Sequence, residues 1–254
     1  MAYIQRKLLI QKLLQEKGAC SIHYLTKHLY VSTSTLRRDL IEMEEEGVLK
    51  RYHGGVAIAE TSSTEDSVSM RRSINVEKKT AIAKLAAMEV RDGMVLFLDS
   101  SSTASHLCPF LKACRDLTVV TNGIQIAQQL SAAPEIKCYL CPGLVKQRSS
   151  SIVGEYSADF LNNFHADIVF FSCKAINTHG VFEGDDAQAM IKRNMLQCAE
   201  RKILLCDTTK EYASGYFKLV GFRGLNCVIS EQPFRQELSD VIGTAGCRLE
   251  TAKS

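Results

Sequence analysis

The chain has 254 residues, 46% hydrophobic and 23% charged, enough to bury one or two cores and too apolar for wholesale disorder. Its net charge of +3 falls within residues 1–58, which hold nine Lys/Arg against six Asp/Glu, while the remainder balances 22 against 22. A basic head on a neutral body suits a polyanionic partner for the head. No apolar run approaches the roughly 20 residues that a bilayer demands, and Gln, Lys and Arg interrupt the first 18 residues, so neither a membrane span nor a signal peptide is expected.

Residues 3–17 read as a helix with an apolar stripe of Ile4, Leu8, Leu9, Leu13 and Leu14, ended by Gly18. "SIHYLTKHL" fits a second short helix, with Ile22, Leu25 and Leu29 on one side, and Tyr30-Val31 a tight turn. Ser32 is a natural N-cap for a third helix running to about Glu46, with Leu36, Leu40 and Met43 facing the first two and Gly47 closing it. "VLKRYHGGVAI" looks like two short strands reversing at Gly54-Gly55. Three helices and a small hairpin make a winged helix-turn-helix over 1–58. Residues 59–70 are rich in Ser, Thr and Glu without periodicity, and a linker is expected over 59–76.

From residue 77 the pattern changes. A helix over 77–91 carries Ile82, Leu85 and Met88. Strand candidates at 94–98, 117–121, 136–141, 167–172, 202–206 and 225–230 alternate with helix candidates at 103–112, 124–131, 154–163 and 186–200. That alternation predicts a largely parallel sheet covered on both faces, a domain spanning 77–254.

In a helix-turn-helix the second helix of the pair enters the major groove with its first residues at base edges. Here those are Ser32, Thr33, Ser34 and Thr35, followed by Arg37 and Arg38, which lie about 100° apart. One guanidinium can read guanine while the other meets phosphate. Lys50, Arg51 and His53 on the wing would reach the backbone beside the groove. The plainer reading pairs the arginines with Asp39, Glu42 or Glu44 on a surface helix.

In the body, "MVLFLDSSSTASHL" places Asp99, Ser100, Ser101, Ser102 and Thr103 between a strand end and a helix start, where backbone N–H groups and hydroxyls can cradle a small anion. A serine-rich helix cap without ligand reads the same residues equally well. Thr121 and Asn122 again follow a strand, suiting sugar hydroxyls or plain capping. Lys192, Asp207 and Lys210 are further candidates, although lysines in such places are often solvated. The polar run "CPGLVKQRSSSIVG" can line or cover a pocket, with Gly143 as its backbone-contact residue. Cys138 and Cys141 lack a second ligand pair, and the ten cysteines read as free thiols of a reducing cytoplasm; no metal or cofactor is expected.

"VSTSTLRRDLIEMEEEGVLKRYHGG" resembles the signature of the DeoR-type bacterial transcriptional regulators, and the likeness continues through "EKKTAIAKLAAMEVRDG", "LFLDSSST" and "LLCDTTK". That resemblance implies an α/β sensor domain of the ribose-5-phosphate isomerase and glucosamine-6-phosphate deaminase type, with the Asp99–Thr103 run holding the phosphate of a sugar phosphate. It also implies a cytoplasmic repressor of a carbohydrate operon bound to double-stranded operator DNA; one head offers few contacts, so a homo-oligomer, dimer or tetramer, reading paired half-sites is expected. The chain departs from the family at Gln188, often Glu, at Ala175, near which the family often has glycine, and at Cys141-Pro142-Gly143, where the family has a Gly-Gly pair. At the strand end where isomerases carry a carboxylate base, this chain has "SCKAIN", which lacks one, while Glu183, Asp185 and Asp186 follow later. A binding pocket without turnover is the expectation. A sugar-phosphate isomerase or deaminase with a DNA-binding appendage, and a constitutive DNA-binding protein whose body only oligomerises, are the alternatives.

Overall fold

The computed structural model describes residues 3–17, 19–46, 48–52, 54–58, 68–147 and 149–252. The helix-ending roles expected of Gly18 and Gly47, the DNA contact expected of His53 and residues 59–67 of the expected linker lie outside them. The chain forms two compact units, Met1–Val76 and Glu77–Ser254.

The first unit runs α1 (Tyr3–Lys17), β1 (Ala19–Ser21), α2 (Ile22–Leu29), α3 (Thr33–Glu45), β2 (Leu49–Tyr52), β3 (Gly55–Ile58) and α4 (Val68–Ser73). The sequence reading missed β1, which pairs with β3 to give a three-stranded sheet of order β1-β3-β2. Gly55 permits that pairing, because a Cβ there would stand 2.9 Å from the carbonyl oxygen of Cys20. Ser21 caps α2 by accepting from the Tyr24 N–H at 3.0 Å, and Tyr30 ends it in the left-handed region at φ 53°. Leu25, Leu29, Leu36, Leu40 and Met43 close the core over Ile10 and Leu14.

The expected stripe on α1 holds at its end, where Leu13 packs on the core and Leu14 is buried, but is off by a rotation before that. Ile4 and Leu8 are 69% and 61% exposed, whereas Ile10 and Leu14 are buried. The core-facing line is the partly buried Arg6 with the buried Ile10 and Leu14, at i, i+4 and i+8. Arg6 sets the rotation through a two-pronged bond to the Asp39 carboxylate, at 2.6 and 2.8 Å. A charged residue on the core side is invisible to a reading based on apolar periodicity. The expected linker also needs correction, since Val68–Ser73 is the helix α4.

The second unit continues α5 (Val76–Ala87), β4 (Val95–Leu98), α6 (Ser102–Ser105), α7 (Cys108–Leu111), β5 (Leu117–Thr121), α8 (Ile124–Leu130), β6 (Ile136–Leu140), β7 (Leu144–Lys146), β8 (Ser151–Val153) and α9 (Glu155–Leu161). It closes with β9 (Ala166–Phe171), β10 (Ala175–Asn177), β11 (Gly180–Glu183), α10 (Asp186–Gln197), β12 (Ala199–Leu205), a 3-10 turn over Thr208–Tyr212, β13 (Phe217–Val220), a second over Phe222–Gly224, β14 (Cys227–Ser230), α11 (Gln236–Thr244) and β15 (Arg248–Thr251).

Seven strands form a parallel sheet of order β15-β14-β12-β9-β4-β5-β6. Alternate residues of its central strands feed two cores: Leu96, Leu98, Ile168 and Phe170 pack on one face, and Phe97, Val169 and Phe171 on the other. Burial on both faces is why these strands read as unbroken apolar runs. Chain order proceeds outward from β4 through β5 to β6, then returns to β9 on the other side of β4. The order therefore reverses between β4 and β9, the place where open α/β sheets bind ligands beyond their strand ends.

Several boundaries differ from expectation. The helix expected at 103–112 is two short pieces, with Pro109 lacking an N–H for a continuous ladder. Met88 is 80% exposed and lies beyond α5, so it is no part of the buried face. Residues 199–200, expected in a helix, begin β12. Helix α11, edge strand β15, hairpin β7–β8 and the antiparallel sheet β10-β11-β13 were not anticipated. Most are three- or four-residue strands, too short to show a period.

Candidate functional site

The head presents one cationic edge. Ser32 caps α3 by accepting from the Thr35 N–H at 3.2 Å, and its hydroxyl also lies 3.0 Å from that of Ser34 and 2.9 Å from that of Thr35. Thr33 and Ser34 are exposed on the first turn. Arg37 and Arg38 are exposed too, and neither has an ion-pair or hydrogen-bond partner among the described residues. Two of the three acids that could have held them are engaged elsewhere, Asp39 with Arg6 and Glu44 with Arg51, and Glu42 makes no bond to either arginine among the described residues. Arg51, expected to reach the DNA backbone, is exposed and paired with Glu44. Its backbone N–H donates to Glu44 at 2.9 Å and its Nε at 2.5 Å, and these two bonds hold the Glu44 carboxyl below its ordinary pKa. Lys50 on β2 remains exposed and without a partner among the described residues.

In the second unit the expected residues gather at the reversal point. Asp99, fully buried, follows β4. Its Oδ1 accepts from the Ser101 N–H at 3.1 Å and the Ser101 hydroxyl at 2.5 Å. Its Oδ2 accepts from the Ser172 N–H, just past β9, at 3.0 Å and lies 3.0 Å from Lys192 Nζ. Asp99 is thus the staple between β4 and β9. Lys192, on α10, also donates to Glu183 at 2.5 Å and to the Ser172 carbonyl at 2.7 Å. It is buried, not solvated. Burial alone would lower its pKa, but Glu183 and Asp99 raise it above the ordinary lysine value, so it stays charged.

Ser101 caps α6 by accepting from the Ala104 N–H at 3.1 Å. The N–H groups of Ser102 and Thr103, in the first helical turn, have no acceptor among the described residues, nor does the Ser102 hydroxyl have a partner. The Ser172 hydroxyl reaches the Thr103 hydroxyl at 3.5 Å. These groups form an open set of donors at the reversal point.

Asn122 stitches loops together, without capping a helix. Its Oδ1 accepts from the Ser100 N–H at 3.0 Å and its Nδ2 donates to the Ile152 carbonyl at 3.0 Å. The Thr121 hydroxyl accepts from the Gly123 N–H at 3.0 Å. Gln188 Nε2 donates to Ser151 at 2.6 Å and to Ser149 at 3.3 Å, and its Oε1 accepts from the Ser100 hydroxyl at 3.4 Å. Ser149, Ser151, Ser172 and Gln188 were not among the expected site residues, although the triple serine at 149–151 in a polar run was a visible signal.

Three candidates stand apart from this centre. Gly143 has φ +140°, and a Cβ there would lie 2.6 Å from the Val153 carbonyl oxygen, so close backbone packing demands glycine at that point. Asp207 caps the turn after β12 by accepting from the N–H and hydroxyl of Thr209. The side chain of Lys210, half-buried in the same turn, has no hydrogen-bond or ion-pair partner among the described residues. Cys141, of the C-x-x-C pair, is buried, and burial pushes its thiol up to about 12, as befits a protonated core residue. No group of three His, Cys, Asp or Glu side chains suited to a metal occurs among the described residues, and no helix there is long and apolar enough to cross a membrane.

A three-helix head with a wing and an arginine pair free of ion-pair partners among the described residues, joined to an α/β unit with unbonded donors at its reversal point, defines a class: DNA-binding regulators with a separate sensor domain. Comparison with known proteins specifies it. Residues 6–62 match the DeoR-like helix-turn-helix domain and residues 74–232 the DeoR C terminal sensor domain. The chain is 28% identical over 245 residues to a putative aga operon transcriptional repressor of Escherichia coli O157:H7, covering 95% of this chain and 91% of that protein. It is 32% identical over 203 residues to the HTH-type transcriptional repressor CsqR of Escherichia coli strain K12, covering 80% and 77%. A D-ribose-5-phosphate isomerase solved with phospho-erythronic acid superposes with TM-score 0.41 at 17% identity, over 54% of each chain. The chain belongs to the DeoR family of DNA-binding transcriptional regulators.

Proposed function

We propose that this protein is a cytoplasmic repressor of a carbohydrate-utilisation operon, whose grip on operator DNA is set by a phosphorylated sugar in the second unit. Ser32, Thr33, Ser34 and Thr35 lead α3 into the major groove. Arg37 and Arg38 divide base and phosphate contacts, and Lys50 touches the backbone. The phosphate sits against the Ser102 and Thr103 N–H groups and hydroxyls, and the sugar lies toward Ser100, Thr121 and Asn122. Asp99 and Lys192 hold the cleft in shape. Lys210 and the Asp207 turn border it, while Gly143 sets the path of the covering segment.

One observation carries the choice of sensing over turnover. Both carboxylates buried at the reversal point are bound to Lys192, and Asp99 also accepts from Ser172 and Ser101. Enolisation needs a carboxylate free to take a proton from carbon. These two are committed to structure.

The ligand acts by favouring one conformation of the unit that binds it, and a coupling of roughly 1–3 kcal/mol changes operator occupancy severalfold. One recognition helix offers few base contacts, so a homo-oligomer reading paired half-sites is part of the proposal. The test is a thermal-shift panel of ribose 5-phosphate, glucose 6-phosphate, glucosamine 6-phosphate and glycerol 3-phosphate, with the unphosphorylated compounds as controls. At least one phosphorylated member should raise the melting temperature, and Ser102→Ala should blunt that rise. Sustained conversion of any member to product would overturn the sensor reading.

A further inference from the structure

We infer that Lys174 is a ligand-binding residue of this cleft, supplying the positive charge that its buried centre lacks; the inference rests on the phosphorylated-ligand reading above. The centre holds two carboxylates, Asp99 and Glu183, against one ammonium, Lys192, all buried. Its net charge is −1. A phosphate monoester adds roughly −1.5 to −2. An anion beside an anionic centre of low dielectric is repelled unless further cations face it. Lys192 cannot serve, because its three donors are spent on Asp99, Glu183 and the Ser172 carbonyl.

Two lysines at this end of the sheet remain uncommitted. Lys174 and Lys210 are each half-buried, and neither side chain has a hydrogen-bond or ion-pair partner among the described residues. Lys174 lies two residues beyond Ser172, whose hydroxyl faces the Thr103 hydroxyl at 3.5 Å. Its backbone is fixed by donation to the Phe182 carbonyl at 3.0 Å. Its stem lies against Gly184, next to the Glu183–Lys192 pair: a Cβ on Gly184 would lie 3.5 Å from the Lys174 Cγ. Lys210 approaches from the neighbouring strand end. The Cys173 and Cys206 sulfurs are 3.8 Å apart, bringing the residues before Lys174 and before the Lys210 turn together, and β10 packs on that turn. Lys174 therefore starts from the strand end at the reversal point itself, two residues beyond the Ser172 hydroxyl that meets Thr103.

The test titrates full-length wild type, Lys174→Met and Lys174→Arg with inorganic phosphate and with the four phosphorylated compounds named above, by calorimetry at two salt concentrations. Lys174→Met should weaken every phosphate-bearing probe that binds wild type by about tenfold or more, the scale of a lost charge-assisted hydrogen bond. It should also flatten the salt dependence. Lys174→Arg should restore most of both. Melting of the unliganded variants checks that each is folded. Equal affinity in wild type and Lys174→Met would overturn the role of Lys174 while leaving the sensor reading intact. Failure of wild type to bind any phosphate-bearing probe would overturn both.

Discussion

Replacing Lys192 by Met removes the one positive charge among Asp99, Glu183 and the Ser172 carbonyl while keeping the side-chain volume close. In the wild type the ammonium lies 3.0 Å from Asp99 and 2.5 Å from Glu183, with all three side chains below a tenth exposed. Removing one partner of a buried ion pair typically costs 3–5 kcal/mol, because the remaining charge is stranded away from water. For a unit of this size each kcal/mol moves the melting point by roughly 2–4 °C, so a fall of about 6–20 °C is expected. The chain has no tryptophan, so far-UV circular dichroism is the suitable probe of melting. Adding Glu183→Gln to Lys192→Met should recover a large part of the loss. The remaining carboxylate, Asp99, still accepts from Ser101 and Ser172. A Lys192→Met variant melting within about 2 °C of wild type, less than 1 kcal/mol on the same scale, would refute the view that this triad holds β4 and β9 together.

Glu231, beyond β14, should make stability depend on acid. Burial pushes its pKa up, but bonds from Lys78 and Thr208 outweigh that and hold it below the ordinary 4.5. A depressed carboxylate contributes stability that is present above its unfolded pKa and is lost as pH falls through the folded one. Melting temperature should therefore drop as pH falls below about 4.5, and Glu231→Gln should flatten that drop. Arg6→Met should speed amide exchange in α3, and Arg6→Lys should repair it only in part, because an ammonium cannot reproduce the two-pronged bond to Asp39; unchanged exchange would contradict the packing described for α1. Arg37→Ala should cost roughly 1–3 kcal/mol of specific operator binding with relaxed preference at one base pair, whereas Arg38→Ala, if it serves phosphate, should lower affinity uniformly and reduce the salt slope by about one. Band shifts at several salt concentrations separate the two.

Legibility in the sequence followed the range of the interaction. The head's second and third helices and wing were readable because their signals are local: the Ser32 cap, the Leu36, Leu40 and Met43 spacing and the paired glycines. The rotation of α1 was not, because Arg6 finds Asp39 33 residues away. The central strands announced themselves as apolar runs, while β7, β8, β10, β11 and β13 are too short for a period to emerge. In the cleft, the Asp99–Thr103 run was visible as a polar loop after a strand. Its partners were not: Ser172 meets Asp99 73 residues on, and Gln188 meets Ser151 across 37 residues. Lys192 resembled a solvated helix lysine until Glu183, at the end of a strand in a separate small sheet, turned out to face it.

The most direct measurement is fluorescence anisotropy of a labelled duplex carrying the operator, isolated by selection from genomic fragments, against the full-length protein at low and moderate salt, with and without each phosphorylated sugar. The account predicts tight binding that weakens steeply with salt, and a change of at least severalfold on adding one phosphorylated compound but not its unphosphorylated parent. Absence of binding to any duplex at low salt, with or without those compounds, would contradict it.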